Sequence, residues 1–246
     1  MPARWQAPAT RELRVPPALG GTGENPAARQ VLAEATSLAL ADAIGLPTVK
    51  RRLLIGPPWR HDLPYPVVAK LVVPGLAHKT EAGAVTLDIG SAAALNEAIH
   101  RMTERLAEYS PGAVVSAVLV QRQHVALAEV LLGYRIDPAM GPVVVLGAGG
   151  RLAELLGDLS MRMAPVTVET AREMIGEVRA LSALKGYRGM QRGDLDGLAD
   201  AIVRLSMLAA GGHDDIVEFE VNPVMVMTDG VVAVDALGVR LARRGA

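Results

Sequence analysis

A lysine inside an apolar stretch is the first residue whose surroundings suggest chemistry. Lys70 lies within the run PYPVVAKLVV, a predicted buried strand, and His78 and Lys79 follow in the loop that leads to the next predicted strand, AGAVTLDI. A buried ammonium group is energetically costly unless it meets an anion. Alternatively, Lys70 lies on an edge strand and its long side chain reaches the solvent. The segment by itself leaves both interpretations open.

A glycine-rich segment follows another predicted strand, Pro142–Leu146. Gly147, Gly149 and Gly150 could present backbone N–H groups to phosphate oxygens, because glycine permits the close approach and the positive φ that such a nest requires. The segment is neither a Walker A loop nor a GxGxxG fingerprint in a clear βαβ unit. A tight turn explains the same glycines equally well.

Two further groups of charged residues have possible structural explanations. Asp158 and Arg162 are flanked by Leu and Met, and we expect them to pair with each other as a structural bridge. In the segment LKGYRG, Lys185 and Arg188 flank glycines between two predicted helices. A guanidinium there could bind a phosphate through two hydrogen bonds, although a solvated loop with two basic residues needs no such function.

Side-chain oxygens alternate along a predicted strand near the C-terminal end. Glu218, Glu220 and Asn222 share one face of this strand, and Asp235 lies on the returning strand of the same hairpin. Mg²⁺ prefers a few carboxylate or amide oxygens together with waters and phosphates. A solvent-facing acidic strand is the alternative. Asn222 precedes Pro223, which favours an extended and fixed backbone, so a metal site is the preferred interpretation.

The elements that must position these residues intersperse helices with strands, and long hairpins outnumber clear βαβ units, so we predict an α+β architecture of two packed lobes. The predicted helices are Ala27–Ile44, a helix capped by Ser91 that ends by Pro111, and two amphipathic helices around Met174–Leu181 and Leu195–Leu208. The predicted strands are Lys50–Ile55, the two that flank the loop with His78, Val114–Gln121, Leu127–Ile136, Pro142–Leu146, and the hairpin Ile216–Met227 with Val231–Asp235.

Composition excludes several classes of function. The chain has 246 residues, half of them hydrophobic, and no cysteine, which rules out disulfides, thiolate metal sites and cysteine nucleophiles. A net charge of -1 argues against nucleic-acid binding. No apolar run approaches the roughly 20 residues that cross a bilayer, and the N-terminus lacks a secretory signal, so we expect no membrane association and a cytoplasmic location. Residues 1–26, rich in Pro, Gly and Arg, indicate a mobile arm.

In their order along the chain, these segments resemble the ATP-grasp (β) subunit of ADP-forming acetyl-CoA synthetases, in the NDP-forming acyl-CoA synthetase family, and more distantly the β subunit of succinyl-CoA synthetase. The resemblance runs from about Pro66 to Arg240. It rests on PVVxK…HK[ST]xxG, on the hairpin ExxxGxxxDPxxGPV that begins at Glu129, and then on GxGG, RxAP, LxGxRG and ExNP…VAVDA. It implies an ATP-grasp domain over 27–240, with nucleotide between two lobes, a smaller lobe over roughly 45–120, and a tail over 241–246.

The resemblance also implies roles for individual residues. Lys70 would contact nucleotide phosphates, Asn222 and Asp235 would hold Mg²⁺ with Glu220 beside them, and the stretch 120–123 would form the hinge against which adenine lies. His78 matches a histidine that is thought to relay the phosphoryl group, a task suited to imidazole, which is nucleophilic near pH 7. The nucleotide-binding residues would be Lys70, Lys79, Val120, Gln121, Arg122, Gln123, Glu129, Gly147, Gly149, Gly150 and Arg188.

The function implied is that of the ATP-binding half of an ADP-forming acid–CoA ligase, using ATP or ADP and Mg²⁺ and acting on a small carboxylic acid. A chain of this length leaves no room for the domains that bind CoA and carry a phosphohistidine, so a separate α subunit would supply them in a hetero-oligomer. Met1 and the N-terminal arm favour a separate subunit over a fragment of a longer polypeptide. The alternatives are an ATP-grasp carboxylate–amine ligase and a non-catalytic nucleotide-sensing subunit.

Overall fold

Two antiparallel β-sheets organise the chain in a computed structural model, which describes residues 29–76, 79–149, 157–213 and 215–241. Within these ranges the smaller sheet has the strand order β2-β5-β3-β4, and the larger has the order β1-β11-β9-β6-β7-β8, with β10 also paired to β9. The strands are β1 (Arg29–Val31), β2 (Arg51–Leu54), β3 (Val67–Val72), β4 (Val85–Ile89), β5 (Ala117–Arg122), β6 (Ala128–Asp137), β7 (Gly141–Ala148), β8 (Leu159–Met163), β9 (Ile216–Val226), β10 (Val231–Ala233) and β11 (Ala236–Leu241). The helices are α1 (Glu34–Ala43), α2 (Ala92–Tyr109), α3 (Val168–Glu177) and α4 (Leu195–Ser206). The predicted α+β architecture is confirmed.

Helix α2 covers one face of the smaller sheet. The Ser91 hydroxyl accepts a hydrogen bond from the backbone N–H of Ala94 at 3.2 Å, which satisfies one of the free donors at the helix start. The apolar residues then recur every three or four positions and lie against the sheet, as the sequence predicted. The buried residues of this helix are Leu95, Ala98, Ile99, Met102 and Leu106.

The opposite face of the smaller sheet points towards the larger lobe, which consists of the larger sheet with helices α1, α3 and α4. Residues directly opposite each other in an antiparallel pair share a face, and Lys70 of β3 is opposite Leu119 of β5. Leu119 packs into the core of the larger lobe, whereas the alternating residues Ala69 and Val120 pack under α2. Because the side-chain period of a strand is two, Lys70 and Gln121 both project from the face that meets the larger lobe.

Helices α3 and α4 cover the inner face of the larger sheet. In β9, Phe219 and Val221 are buried in the core shared with these helices, while Glu220 and Asn222 are exposed on the outer face. This alternation confirms the two-faced strand predicted from the sequence. Helix α4 begins at an N-cap, Asp194, whose carboxylate accepts the backbone N–H of Gly197 at 2.8 Å.

The predicted first helix is wrong at its beginning. Residues Arg29–Val31 form strand β1, antiparallel to β11, and the helix begins only at Glu34. The pairing continues one residue further, where the Leu32 N–H donates to the Gly238 carbonyl at 2.8 Å. A strand of three residues has almost no local signal, because it is stabilised by hydrogen bonds to a segment at the other end of the chain.

Two other predictions need correction around β7 and β8. Strand β7 continues to Ala148, so Gly147 lies inside the sheet and not in a loop. The predicted Asp158–Arg162 bridge is also wrong. Asp158 accepts the backbone N–H groups of Arg179 and Ala180 at 3.1 and 2.7 Å, and Arg162 instead pairs with Glu177. Residues 159–163 are extended, and four residues of strand span about 13 Å, too far for the expected pair.

None of the helices within the described ranges is long and apolar enough to cross a membrane. The smaller sheet and α2 together extend from Arg51 to Arg122. The lobe boundaries, 45–120, and the domain boundaries, 27–240, stay predictions. The predicted arm, 1–26, and all but the first residue of the predicted tail, 241–246, lie outside the described residues.

Candidate functional site

The Lys70 ammonium group meets the anion that its burial requires. Only 8% of its side chain is exposed, and Nζ donates to Glu34 Oε1 at 2.7 Å, to Asp235 Oδ2 at 2.9 Å and to the Val234 carbonyl at 3.0 Å. The edge-strand interpretation is therefore wrong, since β3 lies between β5 and β4. Lys70 comes from the smaller sheet, and its three acceptors all come from the larger lobe.

The backbone at Asp235 is held from both sides. Asp235 lies where the returning arm of the C-terminal hairpin breaks between β10 and β11. Across the hairpin, the Asn222 N–H donates to the Asp235 carbonyl at 3.2 Å, and the Val234 N–H donates to the Pro223 carbonyl at 3.2 Å. On the other edge, the Ala233 N–H donates to the Pro47 carbonyl at 2.8 Å. These bonds place Asp235 against Lys70 without help from either side chain.

Sequence reasoning missed Glu34, the most buried carboxylate of this cluster. It lies in the first turn of α1, its side chain is 6% exposed, and Oε2 accepts a hydrogen bond from Lys79 while Oε1 accepts one from Lys70. A helical-period signal was available, because Glu34 shares the buried face of α1 with Leu38 and Ala41. An acidic residue on that face predicts a buried partner cation.

Charges in this cluster balance, with two lysines against two carboxylates. Burial by itself lowers the pKa of Lys70, but the negative charges of Asp235 and Glu34 outweigh it, and the pKa of Lys70 is raised above its usual value. Burial raises the pKa of Asp235, against the opposing charge of Lys70. Lys70 is therefore a stable cation at neutral pH, as a phosphate-binding residue must be.

Only part of the predicted hinge faces the larger lobe. Gln121 is 2% exposed, and its amide nitrogen is buried without a hydrogen-bond partner among the described residues. Val120 packs in the core under α2, and Arg122 is exposed. Gln123 exchanges hydrogen bonds with Asp88, accepting its N–H at 2.7 Å and donating to its carboxylate at 2.6 Å. A buried side-chain donor without a partner is uncommon in folded proteins, and a ligand can reach this one only if neighbouring side chains move.

Gly149, one of the predicted phosphate-binding glycines, packs closely against the backbone of β6, and its role in phosphate binding stays a prediction. The Gly149 N–H donates to the Glu129 carbonyl at 2.7 Å, and a Cβ atom at Gly149 would lie 2.6 Å from a Glu129 backbone atom. Close packing of β7 on β6 therefore explains this glycine. The Glu129 side chain is exposed on β6. Gly150 and the predicted catalytic His78 lie outside the described residues.

Arg188 lies in a short 3₁₀ turn between α3 and α4. It adopts left-handed backbone angles, with φ 48° and ψ 41°, and its guanidinium lies 5.2 Å from the centre of the Tyr187 ring. Both side chains are exposed. Its role as a nucleotide-binding residue stays a prediction.

The predicted magnesium ligands lie near the middle of the hairpin, around the break between β10 and β11. Asn222 and Glu220 share the exposed face of β9, with Asn222 Nδ2 donating to Glu220 Oε1 at 3.3 Å, and Asp235 is the backbone neighbour of Asn222 across the hairpin. Within the described ranges, no group of three or more His, Cys, Asp or Glu side chains is placed to hold a metal ion. Two carboxylates and one amide oxygen nevertheless fit Mg²⁺, which fills its remaining positions with water and phosphate.

Comparison with known proteins identifies the family. A model of the ATP-grasp domain matches residues 25–239. The chain is 38% identical over 175 residues to subunit beta of the ADP-forming acetate–CoA ligase I of Pyrococcus furiosus, and the match covers 71% of this chain and 75% of that one. It is 37% identical over 171 residues to the ADP-forming acetate–CoA ligase I of Archaeoglobus fulgidus, covering 70% of this chain and 25% of that protein. The matched region therefore spans about a quarter of the Archaeoglobus enzyme.

A solved structure with the same fold holds ligands. Acetyl-coenzyme A synthetase 1 of Ca. Korarchaeum cryptofilum, in complex with coenzyme A and Ca-AMPCP, has a TM-score of 0.77 at 30% identity, over 86% of this chain and 93% of that one. Another structure of it, with a TM-score of 0.75 at 30% identity over 85% and 92% of the two chains, holds Mg-AMPPCP and a phosphohistidine segment pointing towards the nucleotide binding site. The predicted ATP-grasp fold is thus confirmed. With its domain match and its similarity to the Pyrococcus subunit, the chain belongs to the ATP-grasp family of ADP-forming acetate–CoA ligase β subunits.

Proposed function

We propose that this chain binds ATP or ADP with Mg²⁺ in the cleft between its two sheets, as the nucleotide-binding subunit of an ADP-forming acid–CoA ligase. One observation carries the proposal: Lys70 of the smaller sheet meets Asp235 of the larger lobe, 165 residues away in sequence. A cation suited to phosphate and a carboxylate suited to Mg²⁺ thus lie at the same place. The ligands in the Korarchaeum protein agree with a nucleotide at a site of this fold.

The residues around the cleft divide the tasks of nucleotide binding. Lys70 and Lys79 would bind phosphate oxygens, and Asp235 with Asn222 and Glu220 would hold Mg²⁺. The buried amide of Gln121 would donate a hydrogen bond to the base. Bound Mg²⁺ supplies charge neutralisation, which together with positioning is most of what phosphoryl transfer requires.

His78 is the proposed residue for chemistry. It precedes Lys79, whose ammonium group binds Glu34 beside Lys70, so the chain leads from this cluster directly to the histidine. We propose that its imidazole accepts the phosphoryl group or hands it on, between the nucleotide and a phosphohistidine on a partner. In the forward direction a P–N bond to His78 would form while the bond between the γ-phosphorus and the β–γ bridging oxygen breaks, and the nucleoside diphosphate leaves with that oxygen.

The rest of the reaction would take place on a partner subunit. We propose that a CoA-binding α subunit carrying the phosphohistidine joins this chain in a hetero-oligomer and forms the thioester of a small carboxylic acid. The beta-subunit name of the Pyrococcus relative supports a partner. We place the complex in the cytoplasm, where both ATP and CoA are available.

An isotope-transfer experiment tests this function. The chain is mixed with its partner subunit, CoA and a panel of carboxylic acids, and ADP release and label from [γ-³²P]ATP are followed. We expect ADP release only when partner, acid and CoA are all present, together with an acid-labile, base-stable protein label. His78→Ala should abolish both while Mg²⁺–ADP still binds, because it removes a chemical step and not a binding contact.

His100→Ala is the matched control, since His100 is exposed on α2, where its Nε2 lies 3.3 Å from Glu104 Oε1. It should leave label and turnover unchanged. Wild-type turnover in the assembled His78→Ala variant would refute the relay. Acyl-CoA formation by the purified chain without a partner would refute the division of labour.

A further inference from the structure

Glu34 joins the two lysines of the cleft through its two carboxylate oxygens. Oε1 accepts from Lys70 Nζ at 2.7 Å, and Oε2 accepts from Lys79 Nζ. We propose that Glu34 is a positioning residue of the nucleotide site, which keeps Lys70 and Lys79 side by side while a phosphate oxygen replaces Asp235 on Lys70. The inference rests on the nucleotide-binding function proposed above, and it adds a residue and an exchange that the function alone does not imply.

All three N–H donors of Lys70 are used in hydrogen bonds within the chain. An ammonium group has three N–H donors and no hydrogen-bond acceptor. Its three acceptors are Glu34 Oε1, Asp235 Oδ2 and the Val234 carbonyl, all within 3.0 Å. A phosphate oxygen can therefore bind Lys70 only if one of these acceptors leaves.

Asp235 is the acceptor that can leave at the lowest cost. Its side chain is 37% exposed, so water can replace Lys70 as its partner, whereas the Glu34 side chain is 6% exposed and would be left charged and dry. The Val234 carbonyl is held by the main-chain bond between the Val234 N–H and the Pro223 carbonyl. The exchange therefore replaces a carboxylate oxygen on Lys70 with a phosphate oxygen.

This exchange couples metal binding to nucleotide binding. Without a divalent cation, a nucleotide must break the Lys70–Asp235 ion pair and bring more negative charge next to the released carboxylate. With Mg²⁺, the released Asp235 oxygens have a cation to bind, and the like charges are separated by it. The Lys70–Asp235 ion pair thus occupies the lysine and disfavours the binding of nucleotide in the absence of a divalent cation.

Glu34 must keep its charge and length to fill this role. Two ammonium groups bonded to one carboxylate lie close together, and they repel unless an anion lies between them. A glutamine at this position offers one acceptor oxygen and turns its NH₂ donor towards the other lysine. Glu34→Gln can therefore hold only one of the two lysines, and Glu34→Asp, which is one methylene shorter, reaches both less well.

The test measures ADP affinity by calorimetry on the full chain, with Mg²⁺ and with a chelator. Wild type should bind ADP at least about tenfold more tightly with Mg²⁺. Glu34→Gln should lose about tenfold or more in both conditions and keep the ratio between them, because both lysines act on phosphate in either case. Asp235→Asn should bind metal-free ADP at least as tightly as wild type and lose most of the Mg²⁺ dependence.

Glu97→Gln is the control for exchanging a carboxylate for an amide, since Glu97 pairs with Arg101 on the exposed side of α2. It should change neither affinity. If Glu34→Gln does not fold, Glu34→Asp serves instead. We expect it to lose less ADP affinity than Glu34→Gln, both with Mg²⁺ and with the chelator. The unfolding midpoint without ligand is recorded for each variant. If the role of Glu34 were purely structural, its replacement would lower that midpoint but leave the ADP affinity of the folded protein unchanged.

The outcomes separate this inference from the proposed function. Wild-type affinity in a folded Glu34 variant overturns the positioning role, while the nucleotide function stands. Weaker metal-free binding by Asp235→Asn overturns the exchange. Absence of ADP binding by wild type in both conditions overturns the proposed function and this inference with it.

Discussion

Lys70 illustrates what a single charged residue requires inside a protein. Its side chain is 8% exposed, and its charge is balanced by the equally buried Glu34 and by Asp235. Removing one partner of a buried ion pair is far more destabilising than removing one partner of an exposed pair, because the remaining charge is left buried without compensation. The cluster is therefore expected to influence both the stability of the protein and its binding of phosphate.

A double-mutant cycle on Lys70 and Glu34 tests this interaction. Lys70→Met keeps most of the aliphatic volume and removes the charge, and we expect it to lower the free energy of unfolding by about 3–5 kcal/mol. Lys70→Met combined with Glu34→Gln should cost less than the sum of the single losses, since neither charge is left unpaired by the other change. Urea unfolding at constant m-value measures all four proteins.

The same cycle on an exposed pair provides the comparison. Arg172 and Asp196 form an ion pair at 2.9 Å with side chains 56% and 82% exposed, and their coupling should be within about 1 kcal/mol. Additive losses at Lys70 and Glu34 would contradict the buried-pair explanation.

At this scale the sequence predicted one half of the interaction. A lysine within PYPVVAKLVV either needs an anion or reaches solvent from an edge strand, and the structure decides for the anion by providing two carboxylates. Glu34 was missed because it is 36 residues from Lys70, and its burial depends on the packing of α1 against the larger sheet. A single sequence states which charge needs a partner, but not which distant residue supplies it.

The secondary-structure elements place this cluster by strand register and by close packing of backbones. Gly149 is where such packing has the least tolerance, because its missing side chain lets the end of β7 contact the Glu129 backbone. Gly147, two residues earlier, has ordinary spacing around its position, with the nearest atoms 3.8 Å or more from a Cβ. Close packing against the Glu129 backbone explains Gly149 more specifically than phosphate binding does.

Alanine substitutions distinguish a glycine required by packing from one that is not. Gly149→Ala would place Cβ 2.6 Å from the Glu129 backbone, which must then move, so we expect a loss of about 1–3 kcal/mol in the free energy of unfolding. Gly176→Ala in α3 meets nothing within 4 Å and should stabilise by about 0.4–1 kcal/mol.

Chemical denaturation of both variants measures the difference. A neutral effect of Gly149→Ala would show that β6 and β7 have space at this point and would remove the packing explanation for that glycine.

Elements with local signals were predicted well, and elements without them were not. Helix α2 has its cap at Ser91 and an apolar spacing within one segment, so the sequence contains everything needed to predict it. Strand β1 depends on β11, with Arg29 opposite Leu241, and nothing near residue 29 signals that pairing. The C-terminal hairpin was predicted, but the break between β10 and β11, where Asp235 contacts Lys70, was not.

At the scale of the whole molecule, polar contacts join the smaller sheet to the larger lobe. Lys70 binds Glu34 and Asp235, and Arg51 binds Asp42 of α1 at 2.6 Å. Such contacts can be exchanged for ligand groups without exposing a hydrophobic core. A nucleotide with Mg²⁺ would therefore replace part of the interaction between the lobes, and its binding should be visible in the stability of the entire chain.

Thermal unfolding with and without Mg²⁺–ADP is the most direct test of the claim that this cleft binds nucleotide. At about 100 times Kd, binding adds about 2.7 kcal/mol, which corresponds to about 5–10 °C in Tm for a chain of this size. Asn222→Ala and Asp235→Ala should reduce that shift, because they weaken Mg²⁺ binding. Asn96→Ala, the loss of an exposed amide that donates to the Ala92 carbonyl on α2, should keep it.

We predict a shift in wild type that is larger with Mg²⁺ than with a chelator and that is reduced in Asn222→Ala and Asp235→Ala. An equal shift in wild type, Asn222→Ala and Asp235→Ala, or no shift in wild type at saturating nucleotide and Mg²⁺, would contradict this prediction.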